Sequence, residues 1–115
     1  MAEKKSEILQ GTLDLMVLKT LDAMGPMHGY GIALRIEQLS GEALRINQGT
    51  IYLCLIRLVQ KGWITAEWGA SENNRKAKFY EISKAGRKQL QAETENWERV
   101  SGVIGRLLQL ATRRG

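Results

Sequence analysis

Apolar residues recur with helical spacing in four segments of the chain and alternate with polar residues in two others. The first segment, residues 7–24, is apolar on nearly every side, which predicts a helix buried on several faces. Gly25-Pro26 predicts its end. The second segment, residues 28–40, places apolar side chains three and four residues apart on one face of a helix, and Gly41 provides a C-terminal stop.

A third helix and a hairpin follow one another directly. Asn47 is suited to cap a helix over residues 48–61, because its side-chain oxygen can accept a free N–H of the first turn, and Gly62 marks the end. Residues 64–68 and 78–82 then alternate between apolar and polar types with a period of two, which predicts two strands. The segment therefore indicates a short helix packed beside a hairpin.

The last helix is predicted to run from Lys84 to Thr112 after a cap at Ser83. Its apolar residues follow a seven-residue repeat and leave more apolar surface than a small domain can cover. We expect a second copy of the helix to cover that surface. The repeat and the stripe beside it comprise Leu90, Thr94, Trp97, Ser101, Ile104, Leu108 and Ala111, with Val100, Val103, Leu107 and Leu110.

The order helix, helix, helix, hairpin, helix predicts a mainly α (α+β) fold, a winged helix-turn-helix with a long C-terminal dimerisation helix. Residues 1–82 form the predicted DNA-binding domain and residues 83–115 the dimerisation helix, together as one compact unit. Residues 44–46 are a candidate for a brief strand. The polar segment 69–77, too long for a tight turn, is expected to be a mobile loop.

Composition narrows the class of protein. The chain has 115 residues, 43% of them hydrophobic, which is enough for one modest core. A net charge of +5 is compatible with an anionic partner. The single cysteine, Cys54, excludes an intrachain disulfide and fits a reducing cytoplasm. With neither a signal peptide nor an apolar run of about 18 residues, we expect a cytoplasmic protein with no membrane partner.

Catalysis is not expected, and neither is a metal or another cofactor. The chain has one histidine and one cysteine, and it lacks HExxH, GxSxG and glycine-rich phosphate-binding motifs. His28 is interpreted as a residue at the start of the second helix, and Cys54 as a small core residue.

DNA contact has a better physical case. A recognition helix reads base edges with its first turn and phosphates with its flanks. Gln48 can pair with adenine through its amide, and Thr50 can donate to a base or a phosphate. Tyr52 faces away from the apolar stripe, Arg57 lies within reach of the backbone, and Tyr30 opens a helix whose free N–H groups favour a phosphate.

The predicted hairpin, residues 64–82, is the wing of this fold and supplies a second point of contact. Amides and cations crowd its tip, and arginine in a narrow minor groove is a recurrent form of shape readout. The alternative is an ordinary solvated loop. The candidate residues are Asn74, Arg75, Lys76 and Lys78.

Trp97 lies midway along the last helix. Where two such helices cross, Trp97 and its symmetry mate can line a flat apolar space for a planar ligand. The alternative is an interface tryptophan with no ligand. The candidate ligand and dimer residues are Leu90, Trp97, Ile104 and Leu108.

The chain closely resembles the PadR family of bacterial transcriptional regulators, from about Leu9 to Trp97. The matching segments are LQGTLDLMVLKTL, GPMHGYGIALRI, QGTIYLCLIRLVQKGWI, EWGASENNRKAKFYEIS and AGRKQL. The resemblance implies a dimeric winged helix, usually a repressor, in the short subfamily with one C-terminal helix. It also implies DNA with a palindromic operator as partner, and for some members a small aromatic effector beside paired tryptophans, a position that Trp97 fits.

The third helix departs from the family pattern. It reads IYLCLIRLV where the family usually reads LYPALHRLE, so Leu53, Ile56 and Val59 replace a proline, a polar residue and a glutamate. The more apolar helix leaves open a second hypothesis, a winged-helix protein-interaction module with little DNA binding.

Overall fold

The structure, a computed structural model, describes residues 10–113. Four helices and a hairpin make up the fold, as the sequence predicted, and one further short strand extends the hairpin to a three-stranded antiparallel sheet. The predicted start of the first helix at residue 7 lies outside the described residues. The elements are α1 (Gln10–Met24), β1 (Met27–His28), α2 (Gly29–Leu39), α3 (Gln48–Gln60), β2 (Ile64–Ala70), β3 (Lys76–Ile82) and α4 (Lys84–Leu108).

The core forms where α1, α2, α3 and the sheet meet. Helix α1 contacts all three other helices, and Val17, Leu18 and Leu21 are fully buried within it. Helices α2 and α3 contribute one face each, as their spacing predicted, and Cys54 is a buried core residue. Burial of these aliphatic side chains is the main favourable term for a domain of this size.

The sheet has the order β1-β3-β2, and its short first strand was not predicted. Met27 and His28 pair with Tyr80 and Phe79 of β3. The brief strand predicted at residues 44–46 is wrong, because that segment has no strand partner. Ile46 instead fills the core while its N–H donates to the Glu37 carboxylate at 3.0 Å.

The hairpin is longer than predicted. Strands β2 and β3 pair in register from Ile64 opposite Ile82 to Ala70 opposite Lys76. The predicted 69–77 loop therefore reduces to the turn between Ala70 and Lys76. The ladder is formed by backbone N–H and C=O groups, which every residue of this segment carries, so the strands can continue where the side chains are polar.

Helix α4 begins against the hairpin and then leaves the core. The Ser83 hydroxyl accepts the N–H of Gly86 and donates to the Gly62 carbonyl. Gly86 must be a glycine, since a Cβ there would lie 2.0 Å from the Trp63 carbonyl oxygen. The helix ends at Leu108 and not at Thr112, in a stretch where every side chain is exposed and no packing supports another turn.

Candidate nucleic-acid interface

The first turn of α3 presents polar side chains to solvent. The Asn47 Oδ1 accepts N–H groups from Gly49 at 2.7 Å and Thr50 at 3.2 Å, which fixes the start of the helix. Gln48, Thr50 and Tyr52 are exposed. All three predicted contact residues are therefore accessible to a partner within the first two turns of the helix.

The first residue of α2, Gly29, packs closely against α3. A Cβ at Gly29 would lie 3.2 Å from the Leu55 Cδ1, so only glycine allows this approach without displacing Leu55. The His28 Nδ1 accepts the N–H of Gly31 at 3.0 Å, which makes His28 a helix cap, as its position at the helix start suggested. Tyr30, in the first turn of α2, is exposed.

The tip of the wing is a compact turn. Ser71 and Arg75 close it with a backbone hydrogen bond of 2.8 Å, and Asn74 has a φ of 60°. Asparagine tolerates this left-handed conformation better than most residues. The turn leaves Asn74, Arg75 and Lys76 exposed at the end of the hairpin.

Tyr80 lies on strand β3 of the wing, and Tyr52 of α3 is near enough to affect its ionisation. Burial, and secondly the neighbouring Tyr52, raise the pKa of the Tyr80 phenol. Lys78 is two residues away on the same strand and therefore projects from the same face of the sheet. Tyr80 itself is buried, whereas Tyr52 and Lys78 are exposed, and α3 packs against strand β2 of the wing.

The C-terminal half of α4 carries an apolar face that the rest of residues 10–113 leaves exposed. Trp97 is 51% exposed, and Ile104 and Leu108 are also exposed. Leu90 differs from the sequence-based assignment, because it is only 7% exposed and packs in the core of its own protomer. It therefore has little surface left to offer a second copy.

A family model described as the transcriptional regulator PadR-like family matches residues 17–92, which include α2, α3 and the whole wing. The chain belongs to this family. It is accordingly a transcriptional regulator of the DNA-binding winged-helix class, which confirms the resemblance and the fold class that the sequence predicted.

Similar proteins share the fold over nearly their whole length. A transcriptional regulator from Clostridium thermocellum is 28% identical with a TM-score of 0.80, and the match covers 90% of this chain and 100% of that one. A PadR-like transcriptional regulator from Bacillus cereus is 26% identical with a TM-score of 0.78, covering 92% and 100% of the two chains. An uncharacterized protein X from Lysinibacillus sphaericus is 28% identical over 87% of this chain and 91% of that protein.

The PadR-like chain holds Arg57 in an internal ion pair. The Arg57 guanidinium donates to the Asp14 carboxylate, and the side chains of the two residues are 25% and 9% exposed. A phosphate contact by Arg57 stays a prediction, and it competes with this pair. The ion pair joins residues 43 positions apart in sequence, so no local sequence pattern could predict it.

Trp68 is a candidate interface residue that the sequence reasoning did not single out. It is 63% exposed on β2, and its ring lies 5.6 Å from the Lys76 ammonium and 5.4 Å from the Lys78 ammonium. The alternation of apolar and polar residues along β2 could have indicated this position, because Trp68 continues the apolar face of Ile64 and Ala66 beyond the core.

Two findings concern other kinds of site in the described part of the chain. Among residues 10–113, no three histidine, cysteine, aspartate or glutamate side chains gather closely enough to hold a metal ion. None of the helices over the same residues combines the length and the apolar character that crossing a bilayer requires.

Proposed function

We propose that this PadR-like protein is a homodimeric, sequence-specific repressor that a small planar aromatic compound releases from DNA. The observation that carries the DNA-binding part is the exposure of both the polar first turn of α3 and the basic tip of the wing. The polar first turn of α3 meets base edges in the major groove, while the wing tip with Arg75 meets the adjacent backbone or minor groove.

The apolar face of α4 supports the dimer. Trp97, Ile104 and Leu107 project from the part of the helix that leaves the core. An apolar groove of about 540 Å³ lies beside it, between α1, α2 and α4. Exposed apolar surface of this extent on a 115-residue chain is typical of a protein–protein interface. A second copy would cover it with two-fold symmetry.

Two-fold symmetry of the protein would impose two-fold symmetry on the DNA. Paired α3 helices would read half-sites about one helical turn, roughly 34–36 Å, apart, so the operator would be palindromic. A regulator of this kind works in the compartment that holds the DNA, and the cytoplasm stays the expected location.

A cavity beside Trp97 supports the effector. It has a volume of about 250 Å³ and lies between α1 and α4, and its lining includes the apolar Leu15 and Val100 and the polar Glu93 and Asn96. A flat aromatic compound can stack on the indole while the polar groups bind its substituents. Quenching of tryptophan fluorescence by planar phenols tests this site, and equal quenching in Trp97→Phe would rule it out.

The DNA-binding part is tested by selecting bound duplexes from a random pool and measuring affinity by fluorescence anisotropy at several salt concentrations. We expect a palindromic consensus and an affinity that falls steeply with salt, because phosphate contacts release counterions. Salt-insensitive or undetectable binding would contradict the proposal.

A second candidate function is a winged helix used for protein contact. It rests on the apolar exposed side of α3, where Leu53 is 63% exposed and is followed by Ile56 and Val59. The double variant Arg75→Glu/Lys76→Glu separates the two functions. Loss of DNA binding favours the repressor, whereas a protein-interaction module would keep its partner binding unchanged.

A further inference from the structure

Trp68 and two lysines form a cluster on one face of the wing. Trp68 on β2 pairs directly with Lys78 on β3, and Ala70 pairs with Lys76. Because side chains two residues apart share a face of a strand, Trp68, Lys76 and Lys78 project from the same side of the hairpin. Both ammonium groups lie within 5.6 Å of the Trp68 ring.

The ring restricts two side chains that would otherwise move freely. A lysine on a solvent-exposed hairpin has four flexible bonds, and fixing them costs conformational entropy when it binds a partner. The negative face of an indole attracts ammonium groups at this distance. Trp68 therefore keeps both cations near one place before a partner arrives, so less entropy is lost on binding.

The charges of the cluster point to an anionic partner. Within residues 10–113 the ion pairs are Arg57 with Asp14 and Arg87 with Asp22, and neither involves a wing lysine. Glu67, the acidic neighbour on β2, projects from the opposite face of the sheet. Two like charges beside one ring repel each other, and an anion between them relieves that repulsion.

The position of Trp68 argues against a role in the fold alone. Ile64 and Ala66 on the same face reach the core, whereas Trp68 lies beyond it and is 63% exposed. An aromatic side chain that stays mostly in water contributes little hydrophobic stabilisation to the fold. Strand β2, which carries Trp68, also packs against α3, so the cluster lies on a strand that borders the proposed recognition helix.

We propose that Trp68 is a positioning residue, which holds the Lys76 and Lys78 ammonium groups on the wing for contact with the phosphates of the DNA backbone. This inference rests on the proposed DNA-binding function. Phosphate contacts carry no base sequence, so Trp68 contributes affinity and not specificity.

The test compares wild type, Trp68→Ala and Trp68→Phe by fluorescence anisotropy on two duplexes of equal length, one selected from a random pool and one with that sequence scrambled. We expect Trp68→Ala to lower affinity for both duplexes by the same factor, roughly 2- to 5-fold. Trp68→Phe should retain most of the affinity, because a phenyl ring also binds cations. Thermal unfolding should be unchanged for these exposed substitutions.

Coupling to the lysines decides whether Trp68 acts through them. In a Lys76→Gln/Lys78→Gln background, Trp68→Ala should cost no further affinity. The matched control is Lys61→Gln, since Lys61 lies 4.8 Å from the Trp63 ring outside the wing. In the Lys61→Gln background, Trp68→Ala should lower DNA affinity by the same factor as it does in the wild-type background.

Each remaining outcome overturns the inference. Equal costs of Trp68→Ala with and without the wing lysines would mean that the indole contacts DNA itself. A loss confined to the selected duplex would mean that it reads bases. Wild-type affinity in Trp68→Ala would remove the positioning role while leaving the proposed function intact. Failure of the wild type to bind either duplex would remove both.

Discussion

The Arg57 guanidinium on α3 donates a hydrogen bond to the Asp14 carboxylate on α1. The same carboxylate oxygen accepts a hydrogen bond from the Cys54 thiol, 3.3 Å away. A residue from the predicted recognition helix is thereby tied to the helix that contacts α4. The pair is incomplete, because the buried Arg57 Nε has no hydrogen-bond partner among the described residues.

Loss of Arg57 should destabilise the fold. Arg57→Gln leaves the nearly buried Asp14 carboxylate without its cation, and an unpaired buried polar group costs about 1–3 kcal/mol. We expect urea unfolding to show a decrease of that size in the free energy of unfolding. The double variant Arg57→Gln/Asp14→Asn should lose less than the sum of the two single variants, because the residues are in direct contact.

The control is a pair on the surface. Arg87 lies 3.6 Å from Asp22, with 57% of its side chain exposed, so Arg87→Gln should change stability by no more than about 0.5 kcal/mol. An effect of Arg57→Gln no larger than this, joined to a weaker salt dependence of DNA binding, would instead make Arg57 a phosphate contact.

Cys54 should be chemically inert in the folded protein. Burial, followed by the hydrogen bond to Asp14, raises the pKa of its thiol from 9.0 to about 12. Only the thiolate reacts with disulfide reagents. Native protein should therefore remain unlabelled at about pH 8, while protein unfolded in urea reacts quickly. Rapid labelling of the native state would contradict this.

The same pKa shift links Cys54 to stability at high pH. The folded state holds the thiol proton more tightly than the unfolded state, so this contribution is complete below about pH 9 and is lost as the pH rises towards about 12. Relative to Cys54→Ala, wild type should lose free energy of unfolding between about pH 9 and 10.5. A constant difference between the two proteins over that interval would refute the linkage.

Periodicity predicted most of the fold because it reports which faces of an element are buried. The stripes of α2 and α3 and the alternation of the hairpin each depend on neighbours in sequence. Asp14 with Arg57, by contrast, is a tertiary contact, and the burial of Leu90 depends on where α1 lies. β1 has two residues, too few for any period to be visible.

The candidate site could be predicted only in part. The cap at Asn47 and the basic wing tip follow from residue types at a helix start and in a turn. The cluster of Trp68 with Lys76 and Lys78 depends on strand register, which the sequence leaves open when the length of the turn is unknown.

The apolar face of α4 should hold the dimer together. Ile104→Lys introduces a cation into that face, and burying it without a partner is costly. We expect the variant to be monomeric in analytical ultracentrifugation at concentrations where wild type is dimeric. Glu95→Lys is the matched control, because Glu95 lies on the opposite side of the same helix. Dissociation in both variants, or in neither, would argue against an interface on this face.

The first turn of α3 should carry base specificity. Gln48 is exposed beside the helix cap, where its amide can form two hydrogen bonds with an adenine edge. Gln48→Ala should weaken binding to a selected palindromic duplex by about 1–3 kcal/mol, roughly 5- to 150-fold. Binding to a scrambled duplex should stay the same, since phosphate contacts alone support it.

Gln60 provides the matched control for that prediction. It is the same residue type and is also exposed on α3, but it lies at the opposite end of the helix. A recognition helix reads bases with its N-terminal residues, so Gln60→Ala should bind both duplexes as wild type does. If Gln48→Ala weakened binding to the two duplexes equally, Gln48 would be a backbone contact. If only Gln60→Ala lost affinity, the opposite end of α3 would be the one that enters the groove.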